Sequence, residues 1–288
     1  MSGAELAIRH DEPRRRFEAE LDGHPLYIEY ERPEPGLFVL THTIVDPALR
    51  GRGLAARLVE HVLAWLAPRE LRLDAQCSYA ARHLQRHPAW LRLTAPPAAQ
   101  RVLNFWFDLP GGAEDGVARG AWFSKNSAFD AEIRDRFGPL LEQALQGELR
   151  DWDAAGAHGA LARILLLDQF TRNSFRDQAR AFAGDALARE AALALIDAGL
   201  DAQLTPLQRV FAYLPLEHAE DLALQRRSVA LFEALAAAAP ELTAIADYAQ
   251  RHLVLIEQFG RFPHRNAALG RPSSAAERDY LARPGAGF

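Results

Sequence analysis

The stretch from His42 to Trp65, HTIVDPALRGRGLAARLVEHVLAW, limits the fold of this chain more than any other. A β-branched run, Thr41, Thr43, Ile44 and Val45, stops at Asp46-Pro47. Arg50-Gly51-Arg52-Gly53 follows, and Leu54, Leu58, Val62 and Leu66 then recur at helical spacing. The pattern predicts a strand, a glycine turn and a helix. A helix start offers unpaired backbone N–H groups and the positive end of its dipole, so it holds a phosphate without a dedicated side chain. Gly51 and Gly53 let the backbone take positive φ and come close to a ligand, while Arg50 and Arg52 add positive charge. A plain tight connection has the same composition. The turn is not a P-loop, because no Gly-Lys-Ser/Thr follows, and it lacks the third glycine of the dinucleotide fingerprint.

Three strands are expected before this junction. RRFEAEL (15–21) alternates Phe17, Ala19 and Leu21 with charged neighbours, Asp22-Gly23 supplies a hairpin turn to HPLYIEYE (24–31), and LFVLTHTIV (37–45) follows Pro33 to Gly36. After the helix of 54–66, LRLDAQ reads as another strand, and a helix from Ser78 to Arg86 ends before Pro88. The order is β-β-β-α-β-α.

A Pro-Pro pair in RLTAPPAAQ (92–100) suits a domain boundary, beyond which the patterning turns helical. We expect domains over 5–95 and 101–284 joined by a linker at 96–100, and an α+β chain overall. VLNFWF opens the second part and 110–120 is a loop. Helices are expected at 127–146, behind a Ser127-x-x-Asp130 start, and at about 158–170, 185–198, 206–214, 222–238 and 242–258, with a last short one behind Ser274-x-x-Glu277. Leu167-Asp168-Gln169-Phe170 leads to Arg172-Asn173, and Ile256-Glu257-Gln258-Phe259 leads to Arg265-Asn266, as two copies of a stacked helical unit would. That repeat would bring Arg172, Arg176, Arg261, His264 and Arg265 together, with His218 at another helix boundary after Pro215. Two readings stay open for these residues: a pocket for an anionic ligand, or helix-capping arginines that pair with Asp168, Asp185, Glu217 and Glu220.

Charge narrows the function classes. There are 13 basic and 13 acidic residues up to position 95, and 20 and 25 beyond it, so neither part has the basic surface of a general nucleic-acid binder. No apolar run reaches membrane-spanning length and the N-terminus has no apolar signal core, from which we expect a cytoplasmic protein without membrane partners. Cys77 is the single cysteine, so a cysteine zinc cage is excluded, and the scattered histidines lead us to expect no metal.

Arg50-Gly51-Arg52-Gly53-Leu54-Ala55 resembles the pyrophosphate loop, R/Q-x-x-G-x-G/A, of the GNAT superfamily of acetyl-CoA-dependent acetyltransferases. With LRLDAQCSYAARHLQRHPAW, it is similar to the YjdJ-type subfamily over most of 5–95. The resemblance implies that acetyl-CoA lies between the strand ending near Val45 and the strand ending near Gln76, touching Ile44, Val45 and residues 50–55, and is used to acetylate a small-molecule or protein amine. Cys77 falls at the thioester end, either as a thiol beside the acyl group or as a small core residue. His42 is a candidate general base or a solvent-facing strand residue. The tyrosine acid of many larger members, N-x-x-A-x-x-L-Y, is absent: the matching helix reads Ser78-x-x-Ala81-x-x-Leu84-Gln85, and Tyr79 is out of register. In the second part, LLLDQFTRNSFR, PLEHAEDLALQRRSVALF and FGRFPHRNAALGR resemble the bacterial domain-of-unknown-function family numbered nine hundred twenty-four over about 101–283. This implies a tetratricopeptide-like all-α superhelix and no known reaction. The functions consistent with these residues are an N-acetyltransferase fused to a ligand- or partner-binding helical domain, a non-catalytic CoA-binding scaffold, or a helical-domain enzyme acting on an anionic small molecule.

Overall fold

The computed structural model describes residues 6–107, 120–122 and 124–287. The chain divides into two compact units, 1–96 and 97–288.

The first unit is one mixed sheet with two helices. Its strands β1 (Arg9–Asp11), β2 (Arg16–Leu21), β3 (His24–Glu31), β4 (Leu37–Val45) and β5 (Arg72–Ala75) lie in sequence order. The first three pairings are antiparallel; β4 and β5 run parallel, joined through helix α1 (Leu54–Leu66). β1 is a strand that the sequence reading lacks. It has only three residues, too few for alternation to show. The apolar stripe of α1, including Leu58, Val62 and Leu66, is fully buried with Phe17, Leu26, Ile28 and Phe38 of the sheet. Helix α2 (Ser78–Arg86) follows β5 and ends before Pro88, where the next residue cannot stay helical. A 3-10 segment (Pro88–Leu93) then leads to a single bridge between Thr94 and Leu73 of β5.

The second unit is helical. Helix α3 (Ala98–Phe107) starts inside the stretch expected as linker. The loop expected over 110–120 lies, except for Gly120, outside the described residues. Helix α4 (Ser127–Leu145) is capped by Asn126, whose side chain accepts from the N–H groups of Ala128 and Phe129, both at 3.1 Å, so the expected Ser127-x-x-Asp130 start is corrected by one residue. Asp130 faces inward and takes a different role. After α5 (Asp151–Ala154) and α6 (Ala157–Ile164), the chain continues through a π-helical segment, Leu165–Phe170, into α7 (Thr171–Ser174). The single helix expected at 158–170 is therefore α-helical only in its first half. Helices α8 (Asp185–Asp197), α9 (Pro206–Glu217), α10 (Leu222–Ala238) and α11 (Thr243–Phe259) pack consecutively on one another, and α12 (Ala275–Leu281) closes the unit. Thr205 and Ser274 make full capping boxes with Gln208 and Glu277, as their spacing predicts. The buried helix α6 packs on α3, α5, α8 and α9, around a core rich in aromatic rings such as Trp106, Phe170 and Phe211. Among the described residues no helix is long and apolar enough to cross a membrane.

Candidate functional site

The site of the first unit follows from where the sheet stops. The parallel ladder between β4 and β5 covers only Leu37–Leu40 against Arg72–Ala75, and its last bond runs from the Cys77 N–H to the Leu40 carbonyl at 2.8 Å. β4 continues to Val45 paired on β3, and its other edge, from Thr41 onward, has no neighbouring strand among the described residues. A bulge sharpens the departure: Leu40 faces Tyr30 and His42 faces Glu29, leaving Thr41 as an extra residue. The result is an open strand edge inside a domain, beside Ile44, a large apolar side chain left 41% exposed. Backbone donors and acceptors along such an edge can pair with an extended, amide-bearing ligand.

The glycine turn lies at the end of that edge. Asp46 accepts from Ala48 N–H at 2.8 Å and starts a 3-10 turn, Pro47–Leu49. Gly51 and Gly53 have φ of +74° and +70°, and Gly53 is the N-cap of α1 with no side chain bonding to the first-turn N–H groups. A helix start left in this state matches an anion better than a neutral group. Arg50, Gly51, Arg52 and Gly53 are exposed, and Ala55 and Val45 are half-buried. The Leu54 side chain is buried in the core, so what it can offer at the turn is its backbone. Arg52 extends away to Asp22 at 2.7 Å.

Cys77 and His42 are not brought together. Cys77 is the half-buried N-cap of α2, and its Sγ lies 3.2 Å from Thr43 Oγ1 beside the open edge of β4. Burial opposes ionisation of the thiol, but hydrogen bonds from Thr43 and from the Ala80 and Tyr79 N–H groups outweigh it and hold the thiol below its ordinary value. His42 is next to Thr43 on the same strand, so its side chain leaves by the opposite face. It is mostly exposed, with Nδ1 3.4 Å from Glu29 Oε2.

The histidines are less scattered than the sequence suggests. Donor atoms of Glu60, His83 and His87 all lie within 4.8 Å of one another. In this structure they form a hydrogen-bonded tie between α1 and α2: His83 Nε2 meets Glu60 Oε1 at 2.6 Å, Trp90 Nε1 donates to Glu60 Oε2, and His87 Nδ1 bonds the His83 carbonyl.

The helical unit holds a cavity of about 650 Å³. Arg172 and Arg176 leave the end of the interrupted helix, His218 follows α9, and His264 and Arg265 lie on the 3-10 turn Pro263–Arg265; all five line it. Arg261 does not: it is clamped on Glu277 through two bonds of 2.7 and 2.8 Å, where it braces the cap of α12. Arg172 and Arg265 meet on one carboxylate, Asp185, at 2.9 and 3.2 Å. Arg176 grips Asp130 at 2.5 and 2.9 Å, and Asn173 donates to the same group.

Asp168, on the π-helical segment, is fully buried. It receives His218 Nδ1 at 2.8 Å, Gln169 Nε2 at 2.6 Å and Arg172 at 3.0 Å. Burial alone would raise its pKa, but Arg172 and His218 override that and keep it ionised. An ionised acceptor on Nδ1 fixes the His218 tautomer and leaves Nε2 as the lone-pair nitrogen. Glu217 is opposite in character: burial and the nearby Asp168 push its pKa up to about 8. Its Oε1 lies 3.0 Å from His252 Nδ1, which also bonds the Tyr248 carbonyl at 2.8 Å. Burial and His218 push His252 down to about 3. The Asp168, Glu217 and His252 arrangement is invisible to spacing because its members come from three separate helical segments.

Comparison with known proteins agrees with both halves. Residues 16–93 match a model described as GCN5-related N-acetyl-transferase, an acyl-CoA-using family. Over 88 residues the chain is 30% identical to "Protein NATD1" of Mus musculus, covering 30% of this chain and 80% of that protein, and over 88 residues it is 31% identical to the Bos taurus protein, covering 78% of it. The solved structure of "Protein of Unknown Function ATU0120" from Agrobacterium tumefaciens is 40% identical, with a TM-score of 0.56, covering 64% of this chain and 96% of that one. Residues 102–285, more than half of the chain, match the model described as bacterial protein of unknown function (DUF924), and the chain belongs to that family, with a GCN5-related N-acetyltransferase domain at residues 16–93 ahead of it.

Proposed function

We propose that the first unit transfers an acetyl group from acetyl-CoA to an amine. The observation that carries this reading is the open edge of β4 leading to the uncapped, positive-φ start of α1. Under it, the N–H groups after Gly53 hold the pyrophosphate, Arg50, and Arg52 once released from Asp22, screen its charge, and the edge from Thr41 to Val45 pairs with the amides of the pantetheine arm beside Ile44. The thioester supplies an activated acyl group: a C–N bond forms to the neutral amine, the C–S bond breaks, and the proton lost by nitrogen balances the departing thiolate. Fixing the thioester against a rigid strand edge lowers the entropic part of the barrier. Cys77, next to that edge, is the protein group nearest the acyl end. With Gln85 where larger members have a tyrosine, and His42 on the opposite face of β4, the amine proton leaves through solvent.

The test is release of CoA thiol from acetyl-CoA against a panel of primary amines. Amine-dependent release above hydrolysis is expected. CoA binding by calorimetry with no release for any amine would replace the transferase with a CoA-binding module.

A further inference from the structure

We propose that the cavity of the DUF924 unit is a binding site for a small organic oxyanion, a carboxylate or a phosphate monoester on an apolar body, held by Arg172, Arg176 and Arg265 and by the carboxyl group of Glu217.

Four observations point there. The first is where the charges lie. The three arginines line the cavity, whereas the carboxylates that partner them, Asp130, Asp168 and Asp185, are not part of its wall. Lys125 and Asp177, also in the wall, offset each other at 3.6 Å. The inner surface therefore presents cations with their counterions set behind them, which creates a field for an anion.

The second observation is unspent bonding capacity. Arg265 is buried, its plane stacked against the Phe182 and Phe262 rings at 4.8 and 4.5 Å, and it spends one N–H on Asp185 at 3.2 Å. Among the described residues its buried Nε has no acceptor, and the buried Glu217 Oε2 has no partner. An arginine serving only as a structural brace would satisfy its fork. Here a guanidinium edge and a carboxyl oxygen are both left unpaired in residues that line the same cavity. Burial first, and Arg172 second, lower the Arg265 pKa to about 10, the direction expected of a cation short of negative charge.

The third is the backbone. The π-helical segment places Gln169 in the cavity wall and Asp168 behind it, and such insertions concentrate at functional sites. The fourth is the rest of the wall. Trp122, Phe182, Leu214, Ile245 and Tyr248 are apolar or aromatic, so the oxyanion must be carried on an apolar body, and the volume is that of a small-molecule site.

Glu217 makes the site pH-sensitive in one direction. Asp168 from the π-helical segment acts on it electrostatically, His252 from α11 contacts it, and the other titratable or charged groups of the shared cavity wall that enter its balance are His218 after α9, His264 and Arg265 from the 3-10 turn, Arg172 from α7, Arg176 after α7, and the Lys125–Asp177 pair. Burial lowers all three histidines, which stay neutral above pH 7; Asp168 stays ionised and Arg265 titrates only at about 10. Glu217, at about 8, is then the group among these that changes charge between pH 7 and 9. Ionised Glu217 repels an anion, so affinity falls as pH rises through that value, and binding is accompanied by proton uptake.

The experiment is isothermal titration of the full-length chain with benzoate, phenyl phosphate, inorganic phosphate and benzyl alcohol, repeated in buffers of different ionisation enthalpy. Saturable one-site binding of benzoate or phenyl phosphate is expected, the better one naming the headgroup, with benzyl alcohol silent. Inorganic phosphate binding as tightly as phenyl phosphate would overturn the apolar-body part. Arg265→Gln should weaken binding by roughly tenfold or more, the loss of a charged hydrogen bond. Glu217→Gln should keep binding at pH 7 but abolish both the proton uptake and the decline towards pH 9. Silence of both organic anions, or equal binding of benzyl alcohol, overturns the proposal. If Arg265→Gln does not fold, Glu217→Gln decides: wild-type affinity that is flat from pH 7 to 9, or a decline that survives in Glu217→Gln, overturns it equally.

Discussion

At the residue scale, Cys77 shows how much a position depends on its neighbours. A lone cysteine is usually an inert small hydrophobe. This one is half-buried, caps α2, touches Thr43 at the open edge of β4, and has its thiol held below the ordinary value by those bonds. The sequence placed Cys77 after a strand, but the end of the β4–β5 ladder at Leu40 and Ala75, which leaves it beside an open edge, is a tertiary fact. Incubation with acetyl-CoA followed by intact-mass and peptide mass spectrometry is expected to show acetyl transfer onto Cys77 Sγ with release of CoA thiol. Cys77→Ser keeps a side chain suited to an N-cap and should change stability by less than about 1 kcal/mol while losing the adduct. An unmodified thiol would leave Cys77 as a half-buried residue at the start of α2. His42 carries the opposite lesson: strand alternation alone sends it to the face away from Cys77, and that much was legible before the structure.

At the element scale, two glycines separate what local pattern can and cannot reveal. Gly53 was legible, since a helix start after R-G-x-G calls for positive φ, and it has φ +70° with nothing within 4 Å of an added Cβ. The Cβ of Gly53→Val therefore enters open space, but the substitution strains the backbone by on the order of 1–3 kcal/mol and places a branched side chain where the proposed pyrophosphate lies. We expect CoA affinity, measured by calorimetry, to drop at least tenfold while the variant remains folded; an unchanged affinity would remove the turn from the cofactor site. Gly184 was not legible. A Cβ there would lie 2.1 Å from the Leu167 carbonyl of the π-helical segment, a contact between residues 17 positions apart. Gly184→Ala is expected to cost about 1–3 kcal/mol in urea unfolding by pushing that segment away. A wild-type midpoint would show that the close approach is not needed. The segment itself was not legible in the sequence because LLLDQF is buried on every side, polar Asp168 and Gln169 included, and a run with no solvent-facing stripe shows no period that separates α from π turns.

At the scale of the whole molecule, the α+β division was legible because the period of the apolar pattern changes near the Pro-Pro pair, and strands and helices then each bury their own core. The cavity of the helical unit was only half legible. Arginines near helix ends can be found in the sequence, but their assignment to Asp185 across 13 and 80 residues cannot, nor can the burial that neutralises Glu217. That burial has a global consequence. His252 and His264 have folded values of about 3 and 4, below the ordinary 6.5, so the unfolded chain takes up their protons first and stability is lost as pH falls below 6.5. Glu217 acts in the opposite sense: its folded value of about 8 lies above the ordinary 4.5, so its contribution is lost as pH rises from 4.5 to 8. Between 4.5 and 6.5 these histidines, with His218, His10 and His61 shifted in the same direction, outweigh one carboxyl group and stability rises; above 6.5 Glu217 is the group of the cavity that still titrates, and its contribution falls until about 8. Urea midpoints followed across pH should therefore peak near 6.5 in the wild-type chain. In Glu217→Gln the falling limb between 6.5 and 8 should flatten while the acid limb is kept. A wild-type curve still rising through pH 7.5, or a falling limb unaltered in the variant, would show that Glu217 is ionised in the folded protein, and the cavity would then present a fixed negative charge to any ligand.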